Sequence, residues 1–314
     1  MRTIRLRGLR GGAADEQRRQ LTARHRDGIG LVDAPPGRGP RPEPDFDALG
    51  DAGGVPEAAP ADLSPAVLRA AILRGGCLLV RELVPRADAE RFAHQIDRAF
   101  AERERHDAGR RFDDGLYSEF EPEPRYEEPI ARQWIKSGGG LLAVDSPALS
   151  FALLELFRAA GLPSLAESYL GEPALVAADK STLRRADPAV RGGWHQDGKF
   201  MGDVNALNVW LSLSRCGDVA PGLDIVPRRF EHHVTTQTDE AFLDNMVSQR
   251  MAEEAAVDTP ILRPIFNPGD VLLFDELFLH KTASDPDMPS PRFAVENWFF
   301  GPSAFPKDYI PLTV

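Results

Sequence analysis

The chain has 314 residues, 42% of them hydrophobic and 27% charged, with a formal net charge of -11 at pH 7. That length is enough for one domain with a substantial core, and the acidic balance argues against a nucleic-acid partner, which rewards clustered Lys and Arg. Acidity argues only mildly against a highly anionic substrate, because a local pocket can oppose the overall sign. Cys77 and Cys216 stand in apolar or strand-edge contexts without metal-type spacing, so no disulfide framework is expected. No run of about 18 apolar residues predicts a spanning helix, and the Arg-rich opening lacks the apolar core of a secretory signal. A soluble, cytoplasmic protein with a small-molecule partner, and neither nucleic acid nor membrane, is expected; its oligomeric state is not legible.

In chain order, residues 1–62 differ in composition from the rest, Arg-rich at first and then rich in Pro, Gly, Ala and Asp. This stretch reads either as a flexible extension or as a segment wrapped on the body through Ile29, Leu31 and Val32. Residues 63–314 read as a single domain. Ser64-Pro65 is a helix start and Gly75-Gly76 its end, followed by a buried strand over Cys77 to Val84. Ala89, Phe92, Ile96 and Phe100 share one face of a helix spanning Ala87 to Arg105. Between His106 and Arg132 the chain is acidic and irregular, either a solvated loop or a lid. Ser146-Pro147 opens two helices that close near Leu170-Gly171. From Ala174 to Phe300, short β-type runs alternate with turn signals. The fold class is therefore mainly β with flanking helices.

The chemistry concentrates in Trp194-His195-Gln196-Asp197-Gly198, answered far downstream by His280 and then Arg292. Two imidazoles and a carboxylate can occupy one face of an octahedral Fe(II) and leave three positions for a bidentate oxo acid and oxygen. On a strand, His195 and Asp197 share a face while Gln196 points away, and His280 must arrive from a neighbouring strand. Arg292 offers a planar, permanently charged fork for a carboxylate, or else a surface salt bridge with Glu296. His232 and His233 are rival ligands on a loop that reads as solvated. In Asn205 to Ser214, Leu207, Val209, Leu211 and Leu213 form a core face, leaving Asn208, Trp210, Ser212 and Ser214 opposite. Lys180, Thr182 and Arg184 share a strand face just before the metal motif.

From about Ala66 to Pro302 the sequence resembles the phytanoyl-CoA dioxygenase family of Fe(II)- and 2-oxoglutarate-dependent oxygenases. The resemblance is carried by Gly-Gly-Trp-His-Gln-Asp-Gly (192–198), Asn-Ala-Leu-Asn-Val-Trp-Leu-Ser-Leu (205–213) and Pro-Gly-Leu-Asp-Ile-Val-Pro (221–227). Pro-Gly-Asp-Val-Leu-Leu-Phe (268–274), Leu-Phe-Leu-His-Lys-Thr (277–282) and Pro-Arg-Phe-Ala-Val-Glu (291–296) follow in order. It implies a double-stranded β-helix, a cupin-like jelly-roll with the metal at its open end. It further implies His195, Asp197 and His280 as iron ligands and Arg292 as the partner of the far carboxylate of 2-oxoglutarate. Trp210, Asn208, Thr182 and Lys180 are further candidate contacts for that cosubstrate. O2 would be consumed, succinate and CO2 released, and a C–H bond of a small metabolite hydroxylated.

The carboxylate at Asp197 argues against a halogenating relative, which keeps that ligand position vacant for halide. The sequence departs from the pattern at Ala294, where many relatives carry a hydroxyl. The alternatives are a cupin-type isomerase or hydrolase and a barrel that binds without turnover.

Overall fold

The computed structural model describes residues 11–49, 53–110, 115–126, 131–237, 241 and 243–314. The expectations for residues 1–10 and 50–52, and for 111–114 and 127–130 of the acidic stretch, lie outside the described residues.

The extension contains a long helix, α1 (Gly11–Asp33), followed by the two-residue strand β1 (Glu57–Ala58). On α1 the buried positions are Ala14, Leu21, His25 and Gly28, whereas Ile29, Leu31 and Val32 are half-buried. Helix α2 (Pro65–Gly75) begins as its sequence dictates: Ser64 Oγ accepts from the Val67 N–H, and Gly76 at φ 75° closes the helix in the left-handed region. Strand β2 (Cys77–Val80) is shorter than expected. The chain turns at Glu82, which adopts φ 48° while its N–H donates to Asp270 Oδ1 at 3.0 Å. Helix α3 (Arg86–Asp107) buries Ala89, Phe92, Ile96 and Phe100, the face set by its periodicity.

A short helix α4 (Ala131–Ser137) and strand β3 (Gly140–Leu142) precede the apolar pair α5 (Pro147–Ala159) and α6 (Leu162–Leu170). The long strand β4 (Leu175–Ala186) then leads to the one-turn helix α7 (Gly198–Met201), β5 (Ala206–Ser212) and β6 (Gly222–Ile225). Helix α8 (Gln249–Ala256), β7 (Val271–Phe274), β8 (His280–Ala283), β9 (Arg292–Phe300) and β10 (Pro311–Thr313) complete the chain. No single helix among the described residues is long and apolar enough to cross a membrane.

Eight strands form one sheet in the order β1-β2-β7-β5-β9-β4-β10, with β3 also on β4, and β6 pairs β8 in a second, smaller sheet. All pairings but β1–β2 are antiparallel. Leu207, Val209, Leu211 and Leu213 turn to one face of the large sheet, where they join Val295, Phe299 and residues of α2, α3, α5 and α6 in the main core. Trp210, Phe274, Ala294 and Trp298 turn to the opposite face, against Leu223, Ile225 and Phe278 on the small-sheet side. The fold is thus a jelly-roll with helices on the outer face of one sheet, and its interior lies between the sheets. Both cysteines are buried and unpaired.

Pairing of β4 with β9 is interrupted between Val176↔Phe299 and Ser181↔Asn297. Residues 177–180 there stand opposite position 298 alone, a large bulge that re-aims side chains locally. The bulge hands Ala177 to β10 and turns Asp179 and Lys180 into the cavity described next.

Candidate active site

His195 is not on a continuous strand. It makes a single antiparallel bridge with His280, the first residue of β8, the two backbones exchanging N–H···O bonds of 2.9 and 3.1 Å. The expected shared strand face for His195 and Asp197 is therefore replaced by another device. Asp197 adopts helical dihedrals (φ -60°, ψ -30°) and heads α7, so a sharp turn, rather than strand alternation, brings its carboxylate back beside the two rings. Gln196 does point away, donating to Leu277 O at 2.6 Å and accepting from the Val234 N–H at 2.7 Å. Gly198 completes the turn: a Cβ there would lie 2.7 Å from His233 Nε2 and 3.0 Å from Glu276 O, so a larger residue would have to displace the His233 ring and press on the backbone of Glu276.

One ligand-type atom from each of His195, Asp197 and His280 lies within 4.8 Å of the others. Each imidazole is oriented by a local backbone bond, His195 Nδ1 to Gly193 O at 2.9 Å and His280 Nδ1 to Phe278 O at 3.1 Å. With Nδ1–H donating, the lone pair sits on Nε2 and faces the cluster, the tautomer that metal-binding histidines use. Burial, with His195 alongside, pushes His280 down to about 4, so the ring is neutral and available as a ligand at physiological pH. Asp197 Oδ2 is buried, has no hydrogen-bond partner and stands 3.7 Å from His280 Nε2. Two imidazoles held by backbone bonds at Nδ1 and an orphaned carboxylate oxygen fit a divalent first-row metal such as Fe(II). His232 and His233 are not part of this cluster among the described residues.

The cluster opens into a cavity of about 1080 Å³ that also holds Arg292, Trp210, Thr182 and Lys180 in its wall. Arg292 is 4% exposed and donates through Nη1 to Gly222 O at 2.9 Å and Pro221 O at 3.3 Å, while its Cζ lies 5.5 Å from the Trp210 ring centroid. No carboxylate forms an ion pair with it among the described residues, its Nε has no partner, and burial lowers it to about 10. An unpaired buried guanidinium costs several kcal/mol and calls for an anion from outside the chain.

Glu296, the salt-bridge alternative for Arg292, pairs instead with Arg184 at 3.0 Å. Although burial opposes its charge, Arg184 and Lys180 hold Glu296 down to about 2. Lys180 Nζ stands 3.8 Å from Asp197 Oδ1, at the edge of ion-pair contact, and 5.9 Å from each of the Phe200 and Tyr309 ring centroids. Asn208 is fully buried with both side-chain polar atoms unpartnered, and it does not line the cavity. Ala294 faces Ser212 across the sheet, but that hydroxyl donates to Ser214 O at 2.8 Å.

Sequence reasoning passed over Trp134, Phe200 and Tyr309, all in the cavity wall. Phe200 carried a usable signal, since it stands three residues after Asp197 at the exit of the metal turn.

The fold and site together define a jelly-roll protein with a two-histidine, one-carboxylate cluster facing a buried arginine. No family model and no curated protein matches this sequence. Among solved structures, EctD from S. alaskensis with 2-oxoglutarate and 5-hydroxyectoine is similar over 85% of both chains, at 18% identity and a TM-score of 0.53. The same protein with bound Fe is similar over 83% of both chains, at 19% identity and a TM-score of 0.51. Likeness at this level establishes the shared fold.

Proposed function

We propose that this protein is an Fe(II)- and 2-oxoglutarate-dependent oxygenase, a relative of the phytanoyl-CoA dioxygenase family, that hydroxylates a C–H bond of a small molecule in the cytoplasm. The observation that carries the reading is Arg292: a buried cation without a protein anion, in the same cavity wall as a His195, Asp197 and His280 cluster suited to iron. An isomerase or hydrolase built on the same triad has no use for that cation. One solved neighbour with this fold, EctD from S. alaskensis, has been crystallised with Fe and with 2-oxoglutarate, which agrees with the assignment.

Bound Fe(II) with 2-oxoglutarate and O2 supplies the oxidising power, with succinate and CO2 as coproducts. His195, Asp197 and His280 would hold the metal, one donor atom each. Arg292 receives the far carboxylate of the oxo acid through the donors that its backbone bonds leave free, with Trp210 against its guanidinium. Thr182 and Lys180 line the same space. Lys180 Nζ, 3.8 Å from Asp197 Oδ1, places a positive charge beside the carboxylate ligand. Phe274 and Phe278 flank His280 at ring-centroid distances of 4.9 and 5.7 Å, fixing its ring and keeping water from that side.

The test is an anaerobic titration of metal-free protein with Fe(II) and then 2-oxoglutarate, followed by visible absorption and metal affinity. The expected result is a weak visible charge-transfer band on adding the oxo acid, absent from Asp197→Ala, with metal affinity in that variant lowered about 100-fold or more. Metal binding without any band would replace the oxygenase by an isomerase or hydrolase; no metal binding would leave a barrel that only binds.

A further inference from the structure

A cavity of about 1080 Å³ exceeds the usual range of roughly 300 to 1,000 Å³ for sites that enclose one drug-sized ligand. A five-carbon oxo diacid at Arg292 fills a small part of it. The remaining wall includes Trp134 of α4, Phe200 of α7, Tyr126 and Tyr309, four aromatic rings from four separate segments.

Trp134 is 61% exposed and Phe200 37% exposed. The one other exposed aromatic among the described residues, Phe46, has Arg74 against its ring. Trp134 has neither a ring nor a cation partner among the described residues. An exposed indole in the wall of a reaction cavity, with no ring or cation partner among the described residues, offers a stacking surface to a ligand.

Charge in the same wall is unevenly satisfied. Arg125 pairs with Asp33 at 2.9 Å, Arg184 with Glu296 at 3.0 Å, and Lys180 faces Asp197 at 3.8 Å. Arg191 lines the cavity, is exposed, and has no hydrogen bond or ion pair among the described residues. It lies on the connection from β4 to the metal turn, four residues before His195. Asp308 is also exposed in this wall.

We infer that the molecule oxidised is a bulky one with a flat apolar face and an acidic group, its face held at the mouth by Trp134 and Phe200 and its acid by Arg191. This rests on the oxygenase reading for what happens to the molecule. Its capture at the mouth needs only the folded chain. The ligand is thus larger and more apolar than a compact polar metabolite, and its acid meets a local cation on an otherwise acidic protein.

The experiment is calorimetric titration of the full-length protein with three probes of one shape: naphthalene-2-sulfonate, 2-naphthol and 2-naphthylmethylammonium. Each is run on the metal-free protein and again, anaerobically, with Fe(II) and 2-oxoglutarate. The sulfonate is expected to bind most tightly, with its Kd raised about tenfold in Trp134→Ala and in Arg191→Gln. The Arg191→Gln change should leave 2-naphthol binding unaltered. Circular dichroism of both variants, whose side chains are exposed, checks that they fold. Absence of sulfonate binding, or binding indifferent to both substitutions, overturns the inference; ammonium binding as tight as sulfonate overturns its acidic part. Because the response to Trp134→Ala and Arg191→Gln in the metal-free protein reports on the mouth, whatever else the sulfonate meets at Arg292, these outcomes are independent of whether the iron and oxo acid assignment survives.

Discussion

Arg292 illustrates how much one side chain can determine. Its Nη1 is committed to Gly222 O and Pro221 O, so the guanidinium is fixed before any ligand arrives and its remaining donors form a ready fork. A lysine retains the charge but not the fork. Arg292→Lys is therefore expected to weaken 2-oxoglutarate binding about 10- to 100-fold, the loss of one or two charge-assisted hydrogen bonds, and to leave Fe(II) affinity unchanged. Calorimetry with each component separates the two. At this scale the sequence was informative, because His195, Asp197, His280 and Arg292 are chemically scarce side chains in a fixed order. The Arg184–Glu296 pair was not legible: it joins residues 112 positions apart, and only the register of β4 on β9 reveals it.

Elements were legible where local chemistry sets their limits and obscure where distant contacts do. Helix α2 follows its Ser64 and Gly76 caps, and α3 follows its apolar stripe. Strand β2 fell short of its expected end because Asp270, on another segment, draws the chain into a turn at Glu82. The segment from His195 to Asp197 departed further, since alternation on paper cannot reveal a turn built by Gly198 and α7. Helix α4, which begins where the acidic stretch ends, was missed; it is held by Arg132, whose Nε and Nη2 each reach an oxygen of Asp145 at 2.8 Å, while Nη2 also donates to Phe120 O at 2.7 Å. The Asp145 side chain is 2% exposed, so removing it strands a largely buried guanidinium. Asp145→Ala should cost about 3 to 5 kcal/mol, read as a lower midpoint in urea, with loosening of α4 and of Trp134 upon it. A midpoint within about 0.5 kcal/mol of the parent would show that this pair does not hold α4.

Across the whole molecule, the first described helix and the last strand are joined. His25 of α1 is fully buried, with Nδ1 bonded to Pro311 O at 2.9 Å and Nε2 accepting the Glu123 N–H at 3.1 Å. Arg26 and Arg125 add ion pairs to Glu123 and Asp33, at 2.8 and 2.9 Å, so α1 braces the segment that brings Tyr126 to the cavity wall. Burial lowers the His25 pKa. The unfolded chain therefore takes up a proton at higher pH than the folded one, and the contribution of His25 to stability is complete above the ordinary histidine value of about 6.5 and is lost as pH falls below it. The melting temperature is expected to fall from pH 7.5 to pH 5, and less steeply in His25→Gln. An equal slope in that variant would assign the acid sensitivity elsewhere.

The same junction constrains how the chain matures. Arg24 reaches Thr313 O across 289 positions of sequence. At ribosomal rates of about 5 to 20 residues per second, the surface on which α1 finally rests is made roughly 15 to 60 s after the helix itself. Throughout that interval Leu21 and His25 have no docking partner in β10. The amphipathic helix must be tolerated in an open form while the barrel is synthesised behind it, and its closure onto β10 is among the last steps by which the nascent chain becomes native.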